Sequence, residues 1–167
     1  MEVAMQKYKV GDFVMCGMSG SCKVEEIGPL SFGGPDKIYY SLKPVYDSRD
    51  TIYVSIERES DIARKVIGRK EAEEMIKEVV SSKRRGTVPA KEVCDEILRS
   101  ADSIKISNMI RQLRHLRAEN RKNHKNLNIS EEKILKCAER IFFSEIATAL
   151  GITMAEAVER ISEELDP

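Results

Sequence analysis

Residues 9–56 constrain the fold most, because four short apolar runs follow one another along this stretch. The runs are KVGDFVM from Lys9, then Ser21 to Ile27, Ile38 to Val45, and Thr51 to Ile56. Val, Ile, Tyr and Phe recur in them and favour strands, and the segments between them contain the Gly, Pro and Asp residues that turns require. The stretch therefore predicts a small antiparallel β-barrel or curled sheet.

Composition sets the broad class of the protein. Of 167 residues, 41% are hydrophobic and 34% charged, which is typical of a globular protein. No run approaches the roughly 18–20 apolar residues of a membrane span, and the N-terminus lacks the apolar core of a signal peptide. We therefore predict a cytoplasmic protein with no membrane contact.

The four cysteines give no sign of a metal site. Cys16, Cys22, Cys94 and Cys137 match no zinc-ligand spacing, and both histidines lie far from the first pair in sequence. In the cytoplasm these thiols are expected to be reduced. We expect neither a metal nor another cofactor.

Charge is distributed unevenly although the formal net charge is zero. Residues 103–130 contain seven Lys or Arg and one acidic residue, Glu119. Residues 131–167 contain four basic and nine acidic residues, and residues 1–80 contain 12 basic and 14 acidic residues. Only residues 103–130 carry the excess of positive charge that is needed to bind a polyanion.

The segments after the last predicted strand are helical. Residues 69–80 have apolar residues at helical spacing and predict a helix that covers the sheet. The polar residues 81–86 predict a linker. We accordingly divide the chain into an N-terminal module (1–67), a connecting helix and linker (68–86) and a helical domain (87–167).

Capping residues define four helices in the helical domain. Thr87 and Pro89 mark the start of the first, with Val93, Ile97 and Leu98 inward, and Ser103 caps the second. Ser130 begins the third, which ends at Gly151, and Thr153 with Glu156 forms a capping box for the fourth, with Val158, Ile161 and Leu165 inward. The predicted fold class is α+β, with a small antiparallel β module followed by an all-α bundle.

Signatures of enzymes are absent from the sequence. There is no phosphate-binding G-x-x-x-x-G-K loop and no G-x-S-x-G elbow, and both histidines, His115 and His124, lie in the basic segment. We predict that the protein is not an enzyme and has no small-molecule substrate.

One basic helix face is the strongest functional signal. Arg114, Arg117 and Arg121 are spaced i, i+3, i+7, Arg111, Lys122 and Lys125 extend the patch, and the linker bases Lys83, Arg84 and Arg85 are further candidates. A solvated face usually pairs bases with acids at i±4, whereas Glu119 is the only candidate here. Binding to a nucleic-acid backbone is therefore predicted beside the alternative of an ordinary solvated face.

Four tyrosines occur in or next to the last two predicted strands: Tyr39, Tyr40, Tyr46 and Tyr53. They are interpreted either as strand packing or as an exposed surface for protein recognition, where Tyr is favoured.

Ordered motifs across both modules resemble the CarD/CdnL family of bacterial transcription regulators, whose N-terminal module also occurs in the transcription-repair coupling factor. In the N-terminal module these are KVGDFV at 9–14, the strand at 24–27, Tyr39-Tyr40-x-Leu42 and Asp50-Thr51-Ile52-Tyr53-Val54. In the helical domain they are residues 102–113, Ser130-Glu131-x-Lys133-x-Leu135-x-x-Ala138 and Ser144-Glu145-Ile146-Ala147.

The resemblance implies a Tudor- or SH3-like domain that binds the RNA polymerase β subunit. It also implies a helical domain that contacts promoter DNA, mainly through its backbone, near the upstream edge of the melted region. Tyr53 stands where family members carry a polymerase-contacting Arg, and Arg49 is the nearest base. Because Thr51 to Ile56 is predicted to be an edge strand, we expect Thr51, Tyr53 and Ser55 to face the β subunit.

The family's Trp, which wedges into the minor groove, has no counterpart, since this sequence contains no Trp. Thr87 stands at its place, followed by Val88 and Pro89, and we expect these residues to contact the groove weakly. The predicted function is thus a transcription regulator that binds polymerase and promoter DNA. The alternatives are a protein–protein adaptor without DNA binding and an RNA-binding Tudor- or KOW-like module of the translation machinery.

Overall fold

Residues 13–65 fold into an open five-stranded antiparallel sheet. In the computed structural model, which describes residues 6–47, 49–82 and 86–167, the strand order is β4-β3-β2-β1-β5. The strands are β1 (Phe13–Cys16), β2 (Ser21–Leu30), β3 (Gly34–Pro44), β4 (Ile52–Ser55) and β5 (Ile62–Lys65). The four strands expected from the sequence are confirmed, and the sheet places β4 at an edge as predicted.

The strand β5 was not predicted from the sequence. A 3-10 helix, Ile56–Asp61, reverses the chain after β4, and β5 then pairs with β1 at the far edge of the sheet. The strand has only four residues, IARK, and one of its four side chains is buried. Its pairing depends on a partner some fifty positions earlier in the chain (Val14 with Lys65), which no local pattern reveals.

Alternation along β1 divides its side chains between two hydrophobic cores. Val14 and Cys16 enter the core of the sheet module, together with Cys22, Val24 and Tyr40. Met15, which points to the other face, is 1% exposed and belongs to the core of the helical domain. The sheet is therefore buried on both faces at β1.

After β5, the elements of the described chain are all helical. The helices are α1 (Arg69–Ser82), α2 (Lys91–Ser100), α3 (Ser103–Lys122), α4 (Ile129–Leu150) and α5 (Met154–Ile161), and a 3-10 turn follows (Ser162–Leu165). The central helix is α4, which has twelve buried residues and contacts α1, α2, α3 and α5. The α+β fold class is confirmed.

Several predicted helix ends are confirmed and others are wrong. Gly151 ends α4 in a left-handed conformation, and Thr153 with Glu156 forms the capping box of α5. In contrast, α2 begins at Lys91 after Ala90, so Thr87 is not its cap. The cap of α3 is Asp102, whose carboxylate accepts a hydrogen bond from the Lys105 amide at 3.1 Å. The cap of α4 is Asn128, two residues before the predicted start.

Three predicted packing positions are also corrected. Val93 and Val158, expected to point inward, are 44% and 39% exposed. Cys94 occupies the inward position of α2 instead. The helix α1 does not serve as a cover for the sheet, because its buried residues Ala72, Met75 and Val79 belong to the helical core.

Close contact between the 3-10 turn Gly17–Ser19 and α4 joins the two modules. The Ser21 amide donates to Ser144 Oγ at 2.9 Å, and the hydroxyls of Ser21 and Thr148 are 2.7 Å apart. Gly20 permits this approach, since a Cβ there would lie 2.5 Å from Ser144 Oγ. Its φ of +73° also favours glycine.

An ion pair between the half-buried Arg64 and the buried Glu145 forms the second part of the joint. Arg64 on β5 donates two hydrogen bonds to Glu145 on α4, a residue that is 1% exposed. Arg64 Nη2 also donates to the Ala101 carbonyl at 2.7 Å, and Ser103 Oγ donates to Glu145 at 2.7 Å. Hydrogen bonding to Glu145 raises the pKa of Arg64. The pair thus connects the last strand to α4 and to the corner between α2 and α3.

Taken singly, none of the described helices has the length and apolar character needed to cross a membrane. One pair, Ile129–Leu150 with Met154–Leu165, meets that test jointly but is bent by 104°.

The joint can be tested at Gly20. Gly20→Ala is expected to lower the free energy of unfolding by about 2–3 kcal/mol, because the new Cβ meets Ser144 and the backbone conformation is unfavourable. Gly28→Ala is the control, since no atom lies within 4 Å of its added Cβ. Urea unfolding of both variants provides the measurement. Gly28→Ala should change the free energy of unfolding by less than about 0.5 kcal/mol. Equal stability of the two variants would contradict the close packing at Gly20.

Candidate polymerase and nucleic-acid interfaces

The edge strand β4 leaves one side of its backbone without a strand partner in the described chain. It pairs with β3 alone, in a register that places Tyr39 opposite Ser55 and Ser41 opposite Tyr53. Val54 is buried, whereas Tyr53 is 46% exposed and Thr51, just before the strand, is exposed. Ser55 is half-buried, and its hydroxyl accepts a hydrogen bond from the Glu57 amide. The backbone of β4 is thus available to a partner strand.

An aromatic surface lies beside this edge. Phe32, in the turn between β2 and β3, is 69% exposed. Its ring lies 5.3 Å from the ring of Tyr53 and 6.3 Å from that of Tyr39. We call these three residues the aromatic surface. Sequence reasoning missed Phe32, because a single aromatic residue in a Gly-rich turn carries no periodic signal.

The four tyrosines noted in the sequence have different roles. Tyr40 is fully buried, and its hydroxyl donates to Glu59 Oε2 at 2.6 Å. Burial and this hydrogen bond raise the pKa of Tyr40 to about 12. Tyr46 lies under the guanidinium of Arg140, 4.7 Å from its ring centroid. Strand packing is therefore correct for Tyr40, and an exposed surface for Tyr53 and the half-buried Tyr39.

Arg49 is exposed but engaged by a neighbour. Its Nε lies 3.1 Å from Asp47 Oδ1, and its Nη2 lies 3.3 Å from Oδ2. This hydrogen bonding lowers the pKa of Asp47 and raises that of Arg49. A partner that binds Arg49 therefore has to compete with Asp47 for the guanidinium.

Arg111, predicted to contact DNA, is buried in the helical domain. It is 4% exposed, and its guanidinium donates to the backbone carbonyls of Val79 and Glu164. Burial lowers the pKa of Arg111. The side chain holds the end of α1 and the 3-10 turn after α5 against α3.

Arg114 is buried in the same way, with 6% exposure. It donates to the Ser162 carbonyl at 2.8 Å, to Asp166 Oδ1 at 3.1 Å and to Glu139 Oε2 at 2.9 Å. The expectation that this face lacks acidic partners is therefore wrong at Arg114, because α4 and the segment after α5 supply them. Arg111 and Arg114 are removed from the residues available to phosphates.

The remaining predicted bases lie at the C-terminal end of α3 and in the loop after it. Arg121, Lys122 and Lys125 are exposed, and Arg117 is half-buried. We call these four residues the basic end. Lys122 Nζ lies 3.1 Å from Glu119, and the loop is closed by a 2.8 Å hydrogen bond from the Lys125 amide to the Asn120 carbonyl. The basic end is thus an exposed group of cations at one tip of the bundle.

The residues at the position of the family's Trp precede α2. Thr87 is exposed, and Pro89 is half-buried. Val88 packs in part against the helical core, so that much of its apolar surface is not free for a base step. The other predicted bases of this region, Lys83, Arg84 and Arg85, lie outside the described residues.

Two family models match the chain in sequential order. The CarD-like/TRCF RID domain matches residues 8–67, and the CarD C-terminal domain matches residues 90–162. A search of curated proteins gave no match.

The chain belongs to the CarD family, a family of transcription regulators that interact with RNA polymerase. The two matches flank α1 and the segment after it, and together they include the edge strand, the aromatic surface and the basic end.

A pair of arginine variants separates a structural role from a surface role on α3. Arg114→Ala should lower the free energy of unfolding by about 1–3 kcal/mol, because it removes three hydrogen bonds while its partner carboxylates regain some water. Arg121→Ala, on the same helix but exposed, should change it by less than about 0.5 kcal/mol. Chemical denaturation of both variants provides the measurement. A neutral Arg114→Ala would show that the buried contacts do not stabilise the domain.

Proposed function

We propose that this protein regulates transcription by binding the RNA polymerase β subunit through its sheet module and promoter DNA through its helical domain. The observation that carries the proposal is the open edge of β4 beside an exposed aromatic surface, within the part of the chain that matches the RID domain. We further propose that the protein acts in the cytoplasm and has no catalytic activity.

The sheet edge fits a protein partner for two physical reasons. Free backbone N–H and C=O groups of β4 can extend the sheet onto a strand of the partner. Tyr53 and Phe32 add a large apolar area that loses little side-chain entropy on binding, as is common at the centre of protein interfaces. Thr51, Ser55 and Arg49 would then form the polar rim of the interface.

The basic end supports a contact with the phosphate backbone. Arg117, Arg121, Lys122 and Lys125 supply up to about four cations, and only Glu119 among their immediate neighbours in sequence is acidic. This set is smaller than the sequence predicted, because Arg111 and Arg114 hold the fold together instead. We therefore propose a modest, sequence-independent DNA affinity.

The burial of Arg111 and Arg114 also favours a second candidate function. A protein–protein adaptor would use the same sheet edge and would need no phosphate contacts. In that case the basic end would bind an acidic protein surface rather than DNA. The salt dependence of DNA binding distinguishes the two candidates.

The β-subunit contact is tested at Tyr53. Tyr53→Ala should weaken binding to the isolated β subunit by about tenfold, since a half-exposed aromatic anchor at an interface is worth more than about 1 kcal/mol. Thr51→Pro should also weaken it, because proline removes a backbone donor at the edge. Val158→Ala is the control, as Val158 is similarly exposed on α5. Surface plasmon resonance measures the affinity of the wild-type protein and the three variants for the β subunit. Equal affinity for all four would refute the assignment of the β4 edge as the contact surface.

The DNA contact is tested by salt titration. With about four phosphates neutralised, affinity for duplex DNA should fall by roughly 10² between 50 and 200 mM salt, whatever the sequence. Arg121→Ala should flatten the log–log slope by about one unit, whereas Lys77→Ala, on α1, should leave it unchanged. Fluorescence anisotropy measures both. A flat response in the wild-type protein would exclude backbone binding and support the adaptor.

A further inference from the structure

An apolar cleft lies between α2 and α4, apart from the edge of β4 and the basic end. It has a volume of about 540 Å³ and is formed by α2, the first turns of α4 and the 3-10 turn Gly17–Ser19. Leu98, Ile134 and Cys137 line its interior and are buried. Met18 and Ile129 border it and are 46% and 76% exposed. Two large apolar side chains therefore face solvent beside an apolar floor.

The position of Met18 is set by the joint between the modules. Its carbonyl oxygen accepts hydrogen bonds from Cys137 Sγ at 3.6 Å and from Arg140 Nη1 at 3.5 Å. Gly17 begins the turn and Gly20 follows it, both at positive φ, and the lack of a Cβ at Gly20 allows the chain to lie against α4. The cleft is thus built from both modules.

Charged side chains surround the apolar lining. Lys91 and Lys133 are exposed, and Asp95 is half-buried. In the ion pairs found among the described residues, none of these three takes part. Two ammonium groups and one carboxylate are consequently available to an occupant of the cleft.

The lining distinguishes between classes of occupant. A concave, largely apolar site with a few charges at its border suits a side chain of a folded or extended polypeptide. A nucleic-acid backbone would find no hydrogen-bond donor on the apolar floor and would leave the apolar lining uncovered. The excess of lysine over aspartate favours a carboxylate beside the inserted group.

We propose that the cleft binds an acidic protein segment, which inserts one large apolar side chain between Met18 and Ile129 and places a carboxylate near Lys91 and Lys133. Asp95 accepts a hydrogen bond from a backbone N–H of the segment. The inference does not rest on polymerase or DNA binding, because neither the edge of β4 nor the basic end lines the cleft. Such a site gives the regulator a third contact surface.

A random peptide library displayed on phage tests the proposal with the full chain as bait. Enriched peptides should contain a large apolar residue next to Asp or Glu. Ile129→Ser should weaken the binding of a synthetic enriched peptide by about tenfold. Lys133→Glu should weaken it by about fivefold and Lys136→Glu, one turn along α4 and outside the cleft, by less than twofold. Because Ile129 and Lys133 are exposed, these variants should stay folded, which thermal unfolding verifies.

Three results would overturn the proposal. The first is a selection that yields no peptide sensitive to Ile129→Ser. The second is enrichment of basic peptides, which would show that Asp95, and not the two lysines, determines the charge preference of the cleft. The third is a nuclear magnetic resonance titration in which duplex DNA, and no enriched peptide, shifts the methyl signals of Ile129 and Ile134. That last result would make the cleft part of the nucleic-acid surface.

Discussion

The arrangement of the two modules depends on the carboxylate of Glu145. Three groups from separate parts of the chain donate hydrogen bonds to it: the Arg64 guanidinium, the Ser103 hydroxyl and the Ile67 amide. A carboxylate at 1% exposure is stable only with such partners, because a buried charge without hydrogen-bond donors is strongly unfavourable. Because the pair links β5 to α4, it fixes the orientation of the sheet relative to the bundle. The edge of β4 and the basic end therefore lie at a fixed separation. A partner bound at each of them would have a fixed orientation relative to the other.

Much of the fold follows from local sequence patterns, and the exceptions have physical causes. Alternation and turn residues predicted β1 to β4, and capping residues predicted the end of α4 and the start of α5, because these signals lie within single elements. The strand β5 has one buried side chain and is stabilised by pairing with β1, so it leaves no local trace. The prediction that α1 covers the sheet was wrong, because an apolar helix face does not show which of the two cores it packs into. Likewise, Thr87 has a side chain that can cap a helix, but the helix begins only at Lys91.

The candidate site was predictable only in part. The position of the edge strand and the exposure of Tyr53 follow from chain order and alternation, both of which are local. Arg111 and Arg114 show the limit of a helical wheel, which identifies a face but not the elements that pack on it. Their partners are Val79, Glu139 and the segment 162–166, far from α3 in sequence. Phe32 was missed for the same reason. Its place in the aromatic surface depends on the contact of its ring with Tyr53, which lies on another strand.

The central claim is that the sheet edge contacts the β subunit while the basic end contacts DNA in the same complex. Site-specific photo-cross-linking in a polymerase–promoter complex tests it most directly, with the photoreactive residue placed in turn at Tyr53, at Arg121 and, as a control, at Lys77. The account predicts a cross-link from position 53 to the β subunit, one from position 121 to promoter DNA, and neither from position 77. Labelling of a different protein from position 53, or of protein alone from position 121, would contradict it.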